Sequence, residues 1–482
     1  MKEIVVMPRP LVVDLDGTLI QTDLLWEGLL LLLHKAPLKF LWAIFMELPR
    51  GKSRFKMYLA DNIMPDVSVL PYNLNVINIL HKARIAGREL VLASASPRIW
   101  VDAVAKHLSF FETVLASDQH VNLSKENKLK KVQECCGEKG FDYIGDSAAD
   151  IPIWHSSKIA MVVGRRPNVI RQIKKPEDCI TFIPKEYMRN AWLKSLRPQQ
   201  WSKNILLFIP IILAHNFTDF LRWGLLLAAI IAFSLMSSSV YLFNDLLDIE
   251  SDRHHAQKRL RPIPSGRLSI FAGFTEGIIS FSVALFISYY MISLNFMFLL
   301  VGYFLFSIFY SLWLKRILLI DVLVLTLLYN LRITAGGLIA DVTVSPWLYT
   351  LLIFFFLNLA FLKRYNELYK QAQINGTNIK GRGYITSDLP VVFNGGLMSG
   401  FISVLVFYIY LGNSEQARIL YHRPAVLSFI GVILLYWNCR LWFFAHRHET
   451  LGIEDPIEFV LQDTVSWICA LVGGLLFIVS IL

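Results

Sequence analysis

The sequence contains few charged residues and few cysteines for its length. Asp, Glu, Lys and Arg make up only 17% of its 482 residues, whereas 55% are hydrophobic. This hydrophobic fraction is too high for a wholly soluble chain, and the length allows two or three domains. The five cysteines show neither the spacing of metal ligands nor a disulfide framework. A disulfide-stabilised secreted domain is therefore excluded.

The N-terminus lacks the features of a signal peptide. Residues 1–17 contain no long apolar core and no small-residue cleavage site. We therefore expect the first domain to stay in the cytosol. A formal net charge of +10 is compatible with nucleic-acid binding. However, the basic residues lie in alternate loops of the apolar half, as in membrane proteins, and we expect no nucleic-acid partner.

Apolar residues are concentrated in the second part of the chain. After a mixed domain at 1–185 and a basic, aromatic segment at 186–204, apolar runs of about 20 residues follow, the length that spans a bilayer. We predict an α/β domain, an interfacial linker helix and an all-α membrane domain at 205–482. The nine predicted spans are 205–220, 223–244, 269–291, 295–313, 318–340, 346–362, 391–411, 424–443 and 464–482.

The charge of the loops predicts the orientation of these spans. With a cytosolic N-terminus, the loops after the even-numbered spans face the cytosol, and they hold most of the basic residues of the membrane half. This agrees with the enrichment of Lys and Arg in cytoplasmic loops. We therefore expect an integral protein of the bacterial inner membrane whose C-terminus lies on the side opposite the first domain.

Polar motifs follow three of the four predicted strands of the first domain. Leu11–Val13 precedes D-L-D-G-T, and Glu89–Ala93 precedes S-A-S-P. A third strand covers Val114–Ala116, and a fourth, Phe141–Ile144, precedes G-D-S-A-A-D. Strands that alternate with helices favour a doubly wound parallel sheet, a Rossmann-like fold in which the strand ends carry the active site.

With a downstream lysine, these motifs resemble those of haloacid dehalogenase superfamily phosphatases with a small helical cap. The resemblance implies that Asp14 is the nucleophile that forms an aspartyl phosphate and that Asp16 is the general acid and base. It implies phosphoryl binding by Thr18, Ser94 and Lys128, with Lys125 as a weaker candidate for the lysine. The implied Mg²⁺ ligands are Asp14, Asp16, Asp146 and Asp150. The alternative is a domain that has lost catalysis and serves as a scaffold.

A polar segment separates the second and third predicted spans. Asn244, Asp248 and Asp252 recur every four residues, so on a helix they share one face, and Asp245 lies beside them. Carboxylates at a membrane are costly unless they line a hydrated cavity and bind a cation, and hard oxygen ligands suit Mg²⁺. Candidate phosphate-binding residues follow directly, namely Lys258, Arg259, Arg261 and Arg267.

The pattern N-D-x-x-D-x-x-x-D, followed by R-x-R-P-I-P-S-G, resembles the first Asp-rich motif of the UbiA superfamily of intramembrane transferases. The resemblance implies a helical membrane fold and catalytic roles for Asp245 and Asp248. It implies that Mg²⁺ binds the diphosphate of a donor through Asn244, Asp245, Asp248 and Asp252. The alternative interpretation is a solvated loop with an acidic helix end.

The segment Tyr310–Gly337 is a second candidate region. Asp321 and Arg332 lie within or beside an apolar run, and eleven residues make about three helical turns, so the two side chains share a face. Two intramembrane ionisable groups on one face indicate the wall of a cavity. The alternative is structural pairing with polar groups on neighbouring helices.

The sequence departs here from the prenyl-transferring UbiA enzymes, which carry a second Asp-rich motif, because Leu325 stands four residues after Asp321. The patterns R-P-x-Q-W-x-K-N at Arg197–Asn204, Y-S-x-x-L-K at Tyr310–Lys315 and L-R-x-x-A-G-G at Leu331–Gly337 resemble the decaprenyl-phosphate phosphoribosyltransferase branch. This resemblance implies phosphoribosyl diphosphate as donor and a polyprenyl phosphate as acceptor. It adds Asp321 to the catalytic candidates, and to the substrate-binding candidates it adds Lys203, Arg332, Lys363 and Arg364.

We therefore predict a fused, Mg²⁺-dependent enzyme that transfers 5-phosphoribose to a polyprenyl phosphate. Its first domain would hydrolyse a phosphomonoester, such as the 5-phosphate of the lipid-linked product. Three alternatives remain: a UbiA prenyltransferase with an aromatic or other acceptor, a membrane anchor with a vestigial site, and a transporter. The absent second Asp-rich motif argues against a prenyltransferase, and the intact acidic row argues against a vestigial site. The position of that row at a helix end argues against a transporter.

Overall fold

The computed structural model describes residues 8–118, 121–164, 167–173, 175–185, 190–373, 376, 382–414, 419–447 and 456–482. The prediction about a signal peptide rests partly on residues 1–7, which lie outside these ranges. The chain forms two compact units, Met1–Arg197 with Tyr241–Ile279, and Pro198–Val240 with Ser280–Leu482. The first unit therefore includes the Asp-rich segment, and the predicted domain boundaries at 185 and 204 stay a prediction.

A six-stranded parallel sheet forms the centre of the first unit. Its order is β3-β2-β1-β4-β5-β6, and in the register Leu11 of β1 pairs with Leu90 of β2 and Asp142 of β4. Strands β2 and β3 extend the sheet on one side of β1, and β4, β5 and β6 extend it on the other side. A topological switch point therefore lies beside β1. The strands are β1 Leu11–Asp14, β2 Leu90–Pro97, β3 Thr113–Ser117, β4 Asp142–Gly145, β5 Ala160–Val163 and β6 Ile180–Ile183.

Helices cover both faces of this sheet. Because side chains alternate along a strand, Val13 packs with Leu24 and Trp100 on one face, whereas Val12 packs with Trp154 on the other. This confirms the predicted doubly wound α/β fold. The helices up to the linker are α1 Leu24–Lys35, α2 Pro37–Trp42, α3 Lys52–Asn62, α4 Leu74–Ile85, α5 Arg98–Leu108, α6 Glu126–Cys136, α7 Ile151–Ser156, α8 Pro167–Ile170 and α9 Ala191–Ser195.

The predicted cap lies between β1 and β2. Asp23 begins α1, because its side chain accepts hydrogen bonds from the backbone N–H groups of Leu25 and Trp26. Pro37 opens α2, which continues into a π-helical turn at Ala43–Glu47. The cap ends with α3. A small helical cap after the first motif is thus confirmed.

Eight helices of the described ranges are long and apolar enough to cross a membrane, one fewer than predicted. The predicted first span, 205–220, instead begins in a 3-10 stretch, Pro198–Phe208, and continues in a five-residue helix, Ile209–Leu213. His215, with a φ of 57°, follows this short helix. The eight helices are Phe220–Leu247, Ile270–Ile292, Leu294–Leu312, Ile320–Ala340, Pro346–Gln373, Thr386–Asn413, Pro424–His446 and Thr464–Ile481.

Close packing in the second unit depends on a glycine of the helix Ile320–Ala340. A Cβ atom at Gly336 would lie 2.2 Å from the carbonyl oxygen of Leu207. No rotamer change can relieve such a contact, because both groups belong to the backbone. Gly336 therefore allows the 3-10 stretch and this helix to touch.

We expect Gly336→Val to destabilise the protein by about 1–3 kcal/mol, the usual cost of overpacking. The measurement is the thermal unfolding midpoint of the detergent-purified chain. Gly474→Val is the matched control, because a Cβ at Gly474 would meet nothing within 4 Å. Equal midpoints for the two variants would contradict the tight contact at Leu207.

Candidate active sites

The carboxyl end of β1 places Asp14 in the centre of the first site. Its carboxylate accepts hydrogen bonds from Lys128 Nζ at 2.6 Å and from Thr18 Oγ1 at 3.2 Å. Burial raises the pKa of Asp14, and the Lys128 ammonium opposes this rise. Burial disfavours the charge on Lys128, but Asp14 and Asp150 outweigh it and raise the pKa of the lysine. The lysine is thus held as a cation beside the predicted nucleophile.

Three buried carboxylates meet at the ends of β1 and β4. Asp14, Asp146 and Asp150 each offer an oxygen, and these atoms all lie within 4.8 Å of one another. Within the described ranges, no other group of three or more His, Cys, Asp or Glu residues meets that criterion. Such oxygen donors suit Mg²⁺. A Cβ at Gly17 would lie 2.7 Å from Asp146 Oδ2, so the turn after Asp14 requires glycine.

The Asp16 carboxylate lies outside this cluster. It accepts hydrogen bonds from Ser94 Oγ at 3.0 Å, Ser96 Oγ at 2.8 Å and the Leu24 backbone N–H at 2.9 Å. The structure thus brings Asp16 together with the predicted Ser94 but not with the carboxylates that surround Asp14. Its roles as general acid and as metal ligand stay predictions.

Three further groups at this site were missed by the sequence reasoning. Ser96 lies two residues after Ser94 and so on the same face of β2, which was a readable signal. Lys56 of α3 donates to the Ala95 carbonyl at 2.8 Å, and burial lowers the pKa of its ammonium. Lys185 donates to the Gly17 carbonyl at 3.0 Å and lies 3.5 Å from Asp146. Neither lysine stands in a motif that could have identified it.

The Asp-rich segment keeps the predicted four-residue row. The helix Phe220–Leu247 is followed by the short helix Ile249–His254, but the backbone hydrogen bonds Asp248 N–Asn244 O and Asp252 N–Asp248 O, at 2.9 and 2.8 Å, continue across the break. Asp245 and Asp252 are buried. Asn244 Oδ1 is buried without a hydrogen-bond partner in the described ranges. An unsatisfied buried oxygen beside carboxylates fits a bound Mg²⁺.

Guanidinium groups bind two of these carboxylates. Arg197 donates to Asp245, and Arg261 Nη1 lies 3.3 Å from Asp245 Oδ1 and 2.7 Å from Asp252 Oδ2. Lys258 Nζ lies 3.9 Å from Asp252. Burial raises the pKa of Asp252, whereas Arg261 and Lys258 lower it. The predicted phosphate ligands Arg261 and Lys258 therefore adjoin the acidic row. Two other basic candidates belong to the same segment of the chain, namely Arg259 in the turn Lys258–Leu260 and Arg267.

A buried ion pair joins α1 of the cap to the Asp-rich segment within the first unit. Arg253 Nη1 and Nη2 donate to the two Glu27 oxygens at 3.0 and 2.7 Å, and Arg253 Nε donates to the Pro264 carbonyl at 2.9 Å. Thr22 Oγ1 also donates to Glu27 at 2.5 Å. This contact was not predicted from the sequence. The one readable signal was an acidic residue inside the run L-L-W-E-G-L-L-L-L-L.

In the second unit, Asp321 belongs to an ion-pair network. Arg364 Nε lies 2.8 Å from Asp321 Oδ2, and Arg382 Nη1 donates to the same oxygen at 3.0 Å. Glu367 pairs with both guanidinium groups. Asp321 and Arg364 are fully buried, and the predicted Lys363 precedes Arg364 in the same helix. The network neutralises Asp321 with the chain's own cations.

Arg332 has different neighbours, although it shares the helix Ile320–Ala340 with Asp321. It donates to Asn204 Oδ1 at 3.0 Å, the Leu328 carbonyl at 2.6 Å and the Tyr303 hydroxyl at 3.1 Å. The predicted Lys203 is buried, with its Nζ 5.8 Å from the Tyr329 ring centroid. The guanidinium of Arg332 is thus held by neighbouring polar groups, as in the structural alternative.

A mainly apolar cavity of about 540 Å³ lies in the second unit. Neither Asp321 nor Arg332 is among its described lining residues, and the place of these two side chains on a cavity wall stays a prediction. Tyr303, which accepts a hydrogen bond from Arg332, does line it. The lining residues are Leu299, Gly302, Tyr303, Phe306, Leu327, Asn330, Leu331, Thr334, Tyr349 and Ile353.

A parallel α/β domain with an aspartate cluster and a helical membrane domain with an Asp-rich segment define a membrane-bound enzyme built from two domains. Residues 205–451 match the UbiA prenyltransferase family model, and residues 11–155 match that of haloacid dehalogenase-like hydrolases. The chain belongs to the UbiA prenyltransferase family and carries an N-terminal haloacid dehalogenase-like domain.

Similar proteins include relatives of both the whole chain and its larger part. An uncharacterized protein of Sinorhizobium fredii, y4nM, is 35% identical over 462 residues, which cover 95% of this chain and 88% of the relative. The decaprenyl-phosphate phosphoribosyltransferase of Mycobacterium tuberculosis is 30% identical over 306 residues, 62% of this chain and 98% of the relative. A solved structure of a UbiA homolog from Archaeoglobus fulgidus, bound to GPP and Mg²⁺, aligns with a TM-score of 0.45 at 15% identity, covering 60% of this chain and 98% of that chain.

The buried pair between Glu27 and Arg253 is expected to stabilise the first unit. Glu27→Leu leaves a buried guanidinium without its carboxylate, which typically costs about 3–5 kcal/mol. Replacing both partners, Glu27→Leu with Arg253→Met, should cost less, because no unpaired charge remains. Thermal unfolding midpoints of the purified chain provide the measurement.

Lys35→Gln is the control for this cycle. Lys35 also pairs across to the Asp-rich segment, with Glu250 at 3.3 Å, but its side chain is 49% exposed. Exposed pairs contribute little, so its midpoint should stay near that of the wild type. Equal thermal unfolding midpoints for Glu27→Leu and Lys35→Gln would show that the pair between Glu27 and Arg253 has no stabilising role.

Proposed function

We propose that the membrane domain transfers 5-phosphoribose from phosphoribosyl diphosphate to a polyprenyl phosphate. We further propose that the first domain removes the 5-phosphate from the lipid-linked product. The family assignment supports a transferase joined to a hydrolase. The name of the M. tuberculosis relative supports a phosphoribosyl group as the group transferred and a polyprenyl phosphate as the acceptor.

The ion-pair network at Asp321 is the observation that carries the choice of donor. The prenyl-transferring enzymes of the UbiA superfamily carry a second Asp-rich motif, which binds a second Mg²⁺. In this chain Leu325 stands four residues after Asp321, and Arg364 and Arg382 bind the aspartate. The guanidinium groups thus occupy the carboxylate that a second Mg²⁺ would need, and this favours a donor other than a polyprenyl diphosphate.

The Asp-rich segment would bind the diphosphate of the donor. Its row of oxygens, Asn244, Asp245, Asp248 and Asp252, would hold Mg²⁺, which neutralises the departing diphosphate when bound. Lys258, Arg259 and Arg261 would bind phosphate oxygens of the donor. The bond between C1 of the ribose and the diphosphate breaks, and an oxygen of the lipid phosphate forms the new bond to C1.

The second unit offers groups suited to the acceptor. Its apolar cavity of about 540 Å³ fits part of an isoprenoid chain. The hydroxyl of Tyr303 links this cavity to the Arg332 guanidinium, 3.1 Å away. We propose that the cavity binds part of the isoprenoid chain and that Lys203 and Arg332 bind the phosphate of the polyprenyl phosphate.

In the first domain, Asp14 would attack the phosphorus of the 5-phosphate. The bond from phosphorus to the sugar oxygen breaks, Asp16 donates a proton to that oxygen, and an aspartyl phosphate forms. Asp16 then accepts a proton from water as the water oxygen attacks the phosphorus, and the bond from phosphorus to Asp14 breaks, which releases inorganic phosphate. Thr18, Ser94 and Lys128 would bind the phosphoryl oxygens. Asp14, Asp146 and Asp150 would hold Mg²⁺, which supplies positive charge when bound.

A comparison of two substrate pairs tests the transfer step. The purified chain with Mg²⁺ receives labelled phosphoribosyl diphosphate and a polyprenyl phosphate, or a polyprenyl diphosphate and an aromatic acid. We expect a labelled lipid from the first pair. The Asp245→Asn variant should form this lipid at least about 100-fold more slowly, because it would hold less well the Mg²⁺ that neutralises the departing diphosphate.

The control variant for the transfer step is Asp341→Asn, which changes a carboxylate whose side chain is 84% exposed. It should keep the wild-type rate. Product from the second substrate pair alone would make the enzyme a prenyltransferase and overturn the proposed donor.

The phosphatase step is tested by the mass of the lipid product. Asp14→Asn removes the nucleophile, so we expect the transfer product to keep its 5-phosphate, whereas the wild type releases inorganic phosphate. Asp61→Asn, an exposed change in the same domain, should release phosphate normally. Identical lipid products from Asp14→Asn and the wild type would refute the proposed role of this domain.

A further inference from the structure

The cap segment, defined here as Pro37–Leu48, exposes large apolar side chains. It consists of α2, the π-helical turn Ala43–Glu47 and Leu48. A folded domain rarely leaves so many large apolar groups together in water unless they form an interface. The exposed fractions are 81% for Leu38, 49% for Leu41, 50% for Trp42, 69% for Phe45, 46% for Met46 and 42% for Leu48.

These side chains lie on one side of the helical segment. Leu38, Leu41, Trp42 and Phe45 follow the spacing i, i+3, i+4 and i+7, which defines a single helix face. Ala43, by contrast, is buried in the domain core. One face of the cap segment therefore packs into its own domain, while the large apolar side chains of its outer face stay 42–81% exposed within the described chain.

Positive charge surrounds the apolar face. Between residues 35 and 54 there are five basic residues and one acidic residue, a net charge of +4 (5 − 1). The acidic residue, Glu47, is buried and pairs with Arg50 at 3.0 Å and Arg54 at 3.6 Å. An apolar face that includes Trp and is flanked by Lys and Arg is typical of helices that lie in the interface of an anionic bilayer. The five basic residues are Lys35, Lys39, Arg50, Lys52 and Arg54.

Contacts of α1 within the first unit place the start of the cap segment beside membrane-spanning helices. Lys35, two residues before Pro37, lies 3.3 Å from Glu250, which follows the span Phe220–Leu247 by three residues. The Trp26 ring lies 5.7 Å from the ring of Phe271, at the start of the span Ile270–Ile292. The helix that leads into the cap segment thus contacts residues at the ends of two spans.

We propose that the cap segment docks on the bilayer itself, with its apolar face among the lipid headgroups and its basic residues against anionic phospholipid. Helix α3 follows the cap segment directly and carries Lys56 to the Ala95 carbonyl beside Ser94 and Ser96. The same cap therefore reaches both the membrane surface and the phosphatase site. The docking is independent of the substrate, whereas its benefit for hydrolysis of a lipid-linked phosphate rests on the proposed function.

A fluorescent probe at position 45 tests the docking. The full chain, with its five native cysteines replaced by serine and with Phe45→Cys labelled, is reconstituted into vesicles of phosphatidylcholine and phosphatidylglycerol that contain a spin-labelled phospholipid. We expect several-fold stronger quenching at position 45 than for a probe at Ile85→Cys, which is 86% exposed but lies outside the cap segment. Equal quenching at the two positions would overturn the proposal.

A second copy of the chain is the alternative occupant of the apolar face. In that case the probe at position 45 would escape quenching, and Leu38→Gln with Leu41→Gln and Phe45→Gln would dissociate an oligomer of the purified protein. This outcome would also overturn membrane docking. Retained quenching, in contrast, supports it whatever the oligomeric state.

The same triple variant tests the catalytic benefit. We expect hydrolysis of the lipid-linked 5-phosphate in vesicles to slow several-fold, while hydrolysis of a water-soluble phosphomonoester is unchanged. The control replaces three exposed apolar residues elsewhere in the domain, Leu74→Gln, Ile85→Gln and Ile99→Gln, and should affect neither rate. Quenching at position 45 without any lipid hydrolysis by the wild type would support docking and refute the proposed phosphatase substrate.

Discussion

A carboxylate removed from water is stable only beside a positive charge or several hydrogen-bond donors, and this constraint organises both units. Glu27 is paired with Arg253, Asp14 with Lys128, and Asp321 with Arg364. Each pair joins two different elements of the fold. The predicted catalytic residues Asp14 and Asp321 are therefore also groups that connect elements of the fold, whereas Glu27 and Arg253 connect elements without a predicted catalytic role.

The sequence predicted best what depends on chain geometry alone. The ends of parallel strands share an edge of the sheet, so Asp14, Asp146 and Asp150 could be expected to converge, and they do. The four-residue row from Asn244 needed only helical periodicity. Pairing across long separations was not predictable: 226 residues separate Glu27 from Arg253, and no pattern links them. The predicted first span, 205–220, is not one long helix, because apolar composition does not report the 3-10 geometry in which it begins.

The short stretch after the nucleophile motif contributes to both functional regions of the first unit. The Gly17 backbone N–H donates to the Thr22 carbonyl at 3.0 Å, and the Thr22 hydroxyl donates to Glu27, the partner of Arg253. A Cβ at Gly266, which has a φ of 73°, would lie 2.6 Å from Gln21 Cβ. The loop that shapes the phosphatase turn thus also packs against the R-P-I-P-S-G sequence that follows the acidic row.

The distance along the chain between Glu27 and Arg253 has a consequence for biosynthesis. Domains normally fold as they leave the ribosome, N-terminal parts first. Glu27 leaves it 226 residues ahead of the arginine that neutralises it, with the helix Phe220–Leu247 in between. Helix α1 therefore lacks its counter-ion until the hydrophobic helix Phe220–Leu247 has been synthesised, so the first unit can be completed only after this membrane-spanning helix has been made.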